Sequence, residues 1–114
     1  LIAKVRRAAE TRGTTFIHVL SPCPPGWKIS SEKSIEVARL ATQTKVFPLY
    51  EVINGESYHI NLEPENIPVE AYLRTQGRFS HLKKEDIAHI QQRVDYEWKI
   101  LLQRSMMEPF HMNM

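Results

Sequence analysis

The chain has 114 residues, about one small domain, with 42% hydrophobic and 25% charged residues, which is ordinary for a soluble globular protein. Its net charge of +2 is too small to predict a nucleic-acid partner, because such proteins usually carry a dense basic stripe with interleaved aromatic residues. No apolar run approaches the roughly 20 residues that span a bilayer, and a single cysteine excludes an internal disulfide and favours a reducing, cytoplasmic compartment.

The first predicted element is a helix over residues 1–12, with Ile2 and Val5 on its apolar face. The pattern starts partway into a helix, without an initiator Met or a signal peptide, so we expect that a preceding segment is missing. Gly13 is expected to end the helix. Thr15–Leu20 is β-branched and aromatic with little alternation, which predicts a strand buried on both faces in a parallel sheet.

Residues 21–27, Ser-Pro-Cys-Pro-Pro-Gly-Trp, form the most informative segment. Three prolines and a glycine predict an irregular, rigid backbone here. Cys23 would lie just past the C-terminal end of the predicted strand, at the edge where open α/β sheets place ligands. The residues alone leave two interpretations open for this thiol: a metal ligand or nucleophile, or a buried structural cysteine.

A second helix and a hairpin are predicted next. The helix begins at Ser30 or Ser31, either of which can cap it, and extends to about residue 44. Asn54-Gly55 then separates two strand-like runs, residues 47–53 and 56–60. This pair of turn residues predicts a β-hairpin, because both must adopt positive φ.

The last part of the sequence predicts two helices. A short one is expected over residues 69–75, ending near Gly77, and a long one over residues 84–105. The long helix carries a continuous apolar stripe, formed by Ile87, Ile90, Val94, Trp98, Leu101 and Leu102. The tail, residues 106–114, contains Pro109 and is expected to be extended or frayed.

Five segments, in order along nearly the whole chain, resemble the beta subunit of pyruvate:ferredoxin oxidoreductase (pyruvate synthase), a 2-oxoacid:ferredoxin oxidoreductase. The most specific is Phe16–Trp27, which ends in the Cys23 segment. The others are residues 35–41, 47–51, 76–82 and 90–95. Pro25 stands where Thr is common in the family, and Lys83 stands where a capping Thr is frequent, which would cost the long helix about 1 kcal/mol.

The resemblance implies an α/β fold. The chain would be the C-terminal portion of a thiamine-diphosphate-binding parallel-sheet fold, with a β-hairpin and a long C-terminal helix. Residues 1–45 would end the thiamine-diphosphate-binding domain, and residues 46–114 would form a C-terminal extension.

The resemblance also implies a role for Cys23 as one metal ligand, the distal ligand of the [4Fe-4S] cluster nearest the thiamine diphosphate. The other three cysteines of such a cluster lie upstream in the family, as does the Gly-Asp-Gly…Asn motif that binds the diphosphate through Mg²⁺. Neither is present in this sequence, so no catalytic residue and no thiamine-diphosphate-binding residue is assigned.

The implied activity is the oxidative decarboxylation of pyruvate to acetyl-CoA and CO₂, with electrons passed through iron–sulfur clusters to ferredoxin in anaerobic metabolism. Coenzyme A, pyruvate, ferredoxin and the other subunits would be the partners, and this fragment alone is expected to be inactive. The alternatives are the same chemistry on oxalate or a branched-chain 2-oxoacid, or a non-catalytic α/β interaction module.

Three further side chains carry expectations. His18 is predicted to be a hydrogen-bonded core or interface histidine. Trp27 and the prolines are expected to shield Cys23 from water. Arg78, between Gly77 and Phe79, is expected to anchor a neighbouring subunit or loop.

Overall fold

The computed structural model describes residues 1–108, so most of the predicted tail, residues 109–114, lies outside the described residues. The described elements are helices and one small sheet, a mixture that agrees with the predicted α/β class. In chain order they are α1 (Ile2–Glu10), α2 (Pro24–Trp27), a 3-10 turn (Ser31–Lys33), α3 (Ser34–Gln43), β1 (Tyr50–Ile53), β2 (Ser57–Ile60), α4 (Val69–Leu73), a second 3-10 turn (Gly77–Phe79) and α5 (Lys84–Met106). Within residues 1–108, no helix is both long and apolar enough to cross a bilayer.

The predicted buried strand over Thr15–Leu20 is wrong for this structure. These residues belong to no sheet, and Phe16 and Val19 are 88% and 56% exposed. A strand needs a neighbouring strand to pair its backbone groups, and the described residues offer none at this place. The preceding α1 is confirmed as a helix but has no buried residue.

The expectation of irregular backbone around Cys23 also needs correction, because Pro24–Trp27 form one helical turn, α2. Proline is tolerated at the first positions of a helix, where its missing N–H would have no intrahelical partner. The Trp27 N–H donates to the Cys23 carbonyl at 2.8 Å, and the Ile29 N–H donates to the Pro24 carbonyl at 3.1 Å. Lys28 ends the turn in the left-handed conformation, at φ 54°.

The second predicted helix is confirmed as α3, which follows the 3-10 turn. Thr44 closes its C-terminal end, with the hydroxyl donating to the Leu40 carbonyl at 2.6 Å. The Phe47 N–H then donates to the Ala41 carbonyl at 2.9 Å. These bonds pair carbonyls of the last turn that have no partner inside the helix.

The predicted hairpin is confirmed, with β1 and β2 antiparallel and Tyr50 opposite Ile60. Asn54 and Gly55 have φ values of 54° and 70°, the positive values that the sequence predicted for this turn. The hairpin also carries the two polar contacts from α1. Lys4 Nζ donates to the Tyr50 carbonyl at 3.0 Å, and Arg7 pairs with Glu51.

The core lies where α3, α4 and the first part of α5 meet. Its buried members are Val37, Ala41, Val69, Tyr72, Leu73 and Ile87. Asp86 accepts from the backbone N–H of Lys83 at 2.8 Å, which gives α5 an N-terminal cap contact even though lysine has no acceptor for capping. The predicted long helix is confirmed, and it extends to Met106.

Candidate functional site

Cys23 is the residue immediately before α2, and its side chain is exposed. The expectation that Trp27 and the prolines shield the thiol from water is therefore wrong for this structure. Trp27 is directed instead towards the core, against which it packs partly buried. The thiol is free to bind a group that approaches from outside.

The turn that carries Cys23 has little freedom of its own. Pro24 and Pro25 fix their φ angles, and the hydrogen bonds of α2 close the turn on both sides. An ideal Cβ at Gly26 would lie 3.2 Å from the Cys23 sulfur, so glycine leaves the space beside the thiol open. A thiol on a backbone fixed in this way loses little entropy when it binds a metal.

Residues 76–79, which follow α4, contact the C-terminal end of this turn, at Trp27 and Lys28. The Gly77 N–H donates to the Lys28 carbonyl at 3.1 Å. A Cβ added at Gly77 would lie 2.7 Å from the Lys28 Cβ, closer than real side chains approach. Glycine at this position is what allows the two backbones to meet.

Arg78 makes the most extensive side-chain contacts with this turn. Its guanidinium carbon lies 4.1 Å from the centre of the Trp27 ring and 4.5 Å from that of Phe79. Its Nε donates to Oε1 of Gln76 at 2.7 Å, and Gln76 is only 2% exposed. The Gln76 amide in turn donates to the Tyr72 carbonyl at 3.2 Å, which ties the cluster to α4. Sequence reasoning expected Arg78 to act as an anchor but did not identify Trp27 as what it contacts.

His18 is exposed, and its ring meets Phe47 edge-on at 5.0 Å between centroids, so a core position is wrong for this structure, while the interface alternative stays a prediction. Among residues 1–108, no group of three or more His, Cys, Asp or Glu side chains could hold a metal ion. The described residues therefore contain no metal centre made of such a group. The exposed thiol of Cys23 has the chemistry of a single iron ligand.

Comparisons with known proteins identify what this chain is related to. No protein-family model matches it. It is 46% identical over 103 residues to the ketoisovalerate oxidoreductase subunit VorB of Pyrococcus furiosus, covering 88% of this chain and 33% of that protein. The pyruvate synthase subunit PorB of Methanocaldococcus jannaschii is 46% identical over 99 residues, covering 86% and 33%. PorB of Thermotoga maritima is 40% identical over 106 residues, covering 88% and 32%.

The chain spans about one third of the length of the curated relatives that it matches. The matched region includes most of its residues, so the similarity is not confined to the Cys23 segment. These matches confirm the resemblance that the sequence motifs indicated. Over about 88% of its residues the chain is thus similar to proteins named pyruvate synthase subunit PorB and ketoisovalerate oxidoreductase subunit VorB, which are beta subunits of 2-oxoacid:ferredoxin oxidoreductases.

Proposed function

We propose that this chain is the C-terminal third of a beta subunit that oxidatively decarboxylates a 2-oxoacid to an acyl-CoA and CO₂, with electrons passed to ferredoxin. The enzyme would work in the cytoplasm as a complex with other subunits, and this third alone would be inactive. The observation that carries the proposal is the identity of 46% to subunits named for oxidoreductase and synthase activities. A second supporting observation is the free thiol of Cys23, which lies exposed at the start of a rigid turn.

In this proposal Cys23 donates its thiolate to one iron of a [4Fe-4S] cluster. When bound, such a cluster accepts and passes on single electrons. Cys23 is the one cysteine of the chain, so the three other ligands would come from another part of the subunit. The exposed position suits this arrangement, because the cluster must reach the sulfur from outside the described fold.

The exposed Thr15–Leu20 segment has a place in the same proposal. Most of its apolar side chains are exposed in the described residues: Phe16 is 88% and Val19 56% exposed, whereas Leu20 packs partly buried against the core. We expect this segment to add as a strand to a parallel sheet in the rest of the subunit, which would bury both of its faces. Residues 1–45 would thus complete the thiamine-diphosphate-binding domain, with residues 46–114 as an extension, and the rest of the subunit would bind thiamine diphosphate and Mg²⁺.

We propose pyruvate as the substrate, and a branched-chain 2-oxoacid is the second candidate. The second candidate is favoured by a specific observation: the VorB relatives, named for ketoisovalerate, are 44–46% identical to the chain, whereas the PorB relatives are 35–46% identical. Assembled enzyme should reduce ferredoxin with a higher kcat/KM for pyruvate than for ketoisovalerate. The reverse ratio would assign the branched-chain substrate, and turnover of neither would contradict both.

The role of Cys23 is tested by the Cys23→Ser variant in the assembled enzyme. We expect ferredoxin reduction to fall by about a hundredfold or more, since the cluster would lose one of the four thiolates bound directly to its iron, and even outer-shell partners of a metal ligand are worth about 10- to 100-fold. Ser21→Ala is the matched control, because Ser21 is exposed in the same segment and should leave the rate unchanged. Ferredoxin reduction at the wild-type rate by Cys23→Ser would refute the proposed ligand.

A further inference from the structure

Cys23 is carried on a rigid turn, but a rigid turn can still tilt as a unit. Its internal hydrogen bonds, from Trp27 to Cys23 and from Ile29 to Pro24, fix its shape and leave its orientation free. The orientation depends on what holds the end opposite to the thiol. That end is Trp27 and Lys28, and it is met by the residues that follow α4.

We propose that Arg78 is a positioning residue for Cys23, acting through Trp27. The guanidinium lies between two aromatic rings, at 4.1 Å from Trp27 and 4.5 Å from Phe79, and so links the turn to the 3-10 turn Gly77–Phe79. Cation–π attraction holds the Trp27 ring against the guanidinium plane. The proposal rests on the proposed function, since it assigns to Arg78 the orientation of the cluster ligand.

The Nε–H group of Arg78 is held by a residue outside the turn. Its Nε donates at 2.7 Å to Gln76, a side chain 2% exposed whose amide is bonded to the Tyr72 carbonyl. Tyr72 belongs to the core cluster. A continuous path therefore leads from the core, through Gln76 and Arg78, to the turn that presents the thiol.

Lysine cannot replace arginine in this arrangement. Its ammonium group keeps the positive charge but has neither the planar face that stacks on Trp27 nor an Nε–H at the place that meets Gln76. The Arg78→Lys variant therefore keeps the local charge while it removes the contacts proposed to orient the turn, so it tests the contacts alone. Arg74→Lys is the matched control, because Arg74 is exposed at the end of α4 and pairs with Glu70 rather than with the turn.

The experiment has two readouts. Hydrogen exchange of the Trp27 and Ile29 amides in the full chain should be about three- to tenfold faster in Arg78→Lys, as expected from the loss of a cation–π contact, and unchanged in Arg74→Lys. In the assembled enzyme, Arg78→Lys should keep its iron content but shift the reduction potential of the cluster, a change that a merely structural role would not produce. If Arg78→Lys does not fold, Trp27→Phe should show a smaller shift of the same two quantities.

The outcomes separate this proposal from the proposed function. If Cys23→Ser keeps the cluster, the proposed ligand role of Cys23 fails, whatever the exchange data show, and turnover of neither 2-oxoacid by the wild type would overturn the proposed function itself. If Cys23→Ser loses the cluster while Arg78→Lys matches the wild type in both exchange and potential, only the positioning role of Arg78 is overturned. Faster exchange with an unchanged potential also overturns it, because Arg78 would then stabilise the turn without orienting the ligand.

Discussion

The arm, residues 1–20, and the body, residues 29–106, are both rich in apolar side chains but use them differently. In the body, Val37, Ala41 and Val69 are fully buried. In the arm, α1 buries nothing and Phe16 is 88% exposed. Within the described residues, the body thus buries its own apolar faces, whereas most apolar side chains of the arm are exposed.

The arm meets the body at two places: Leu20 packs against the core and the His18 ring meets Phe47, and α1 makes polar contacts with the hairpin. Lys4 donates to the Tyr50 carbonyl, and Arg7 pairs with Glu51 on the hairpin. Exposed ion pairs stabilise a fold by only about 0–1 kcal/mol, because solvent screens them and ordering the side chains costs entropy. These polar contacts of α1 should therefore contribute little to the free energy of unfolding of the body, and the packing of Leu20 is the apolar part of the junction.

The largest expected difference between the two regions is in the cost of removing apolar side chains. Leu73 is 4% exposed in the core, and Leu73→Ala should lower the free energy of unfolding by about 2–5 kcal/mol. Val19 is 56% exposed in the arm, and Val19→Ala should change it by less than about 0.5 kcal/mol. Urea unfolding of both variants measures the two values, and equal losses would contradict the division into arm and body.

Two glycines with positive φ, one in the arm and one in the body, allow the stability of the two regions to be compared a second time. Gly55 in the hairpin turn has φ 70°, and Gly13 has φ 102°. Gly13 lies beyond the end of α1, because the helix ends at Glu10 with Thr11 as its C-cap and not at Gly13 as the sequence predicted. Gly55→Ala should destabilise the body by about 1–2 kcal/mol, since an L-residue is strained there. Gly13→Ala carries strain too, but the arm can relax without disturbing the body, so the free energy of unfolding should stay within about 0.5 kcal/mol of wild type. Urea midpoints compare the two directly, and a larger loss at Gly13 would reverse the assignment.

The smallest effect on the free energy of unfolding is expected for the ion pair between Arg7 of the arm and Glu51 of the body. Arg7→Ala removes the ion pair with Glu51 and should cost less than about 1 kcal/mol at low salt, and less again at high salt. Arg93→Ala, which removes an exposed pair within α5, is a matched control of the same chemistry. Unfolding curves at two salt concentrations test this. A salt-independent loss of several kcal/mol at Arg7 would show that the arm is part of the cooperative fold.

Local patterns predicted the hairpin and the long helix because their causes are local. Asn54 and Gly55 accept positive φ by themselves, and the apolar stripe of α5 repeats along one segment. The Thr15–Leu20 prediction failed in this structure because a strand depends on a partner that no local pattern supplies.

The features of the candidate site likewise divide into those that the local sequence predicts and those that depend on residues far apart in the chain. Proline and glycine around Cys23 were enough to predict a rigid loop, although not that proline would start the helical turn α2. The stacking of Arg78 on Trp27 joins residues far apart in sequence and could be found only in three dimensions. The ligand role of Cys23 came from the family resemblance and stays a proposal.

The most direct test of the account is to count the iron–sulfur clusters of the assembled enzyme with Cys23 present and replaced. By iron analysis and the electron paramagnetic resonance spectrum of the reduced protein, Cys23→Ser should lose or convert one [4Fe-4S] cluster, while Ser21→Ala keeps the full set. A complete set of clusters with wild-type spectra in Cys23→Ser would contradict the claim that this thiolate binds iron.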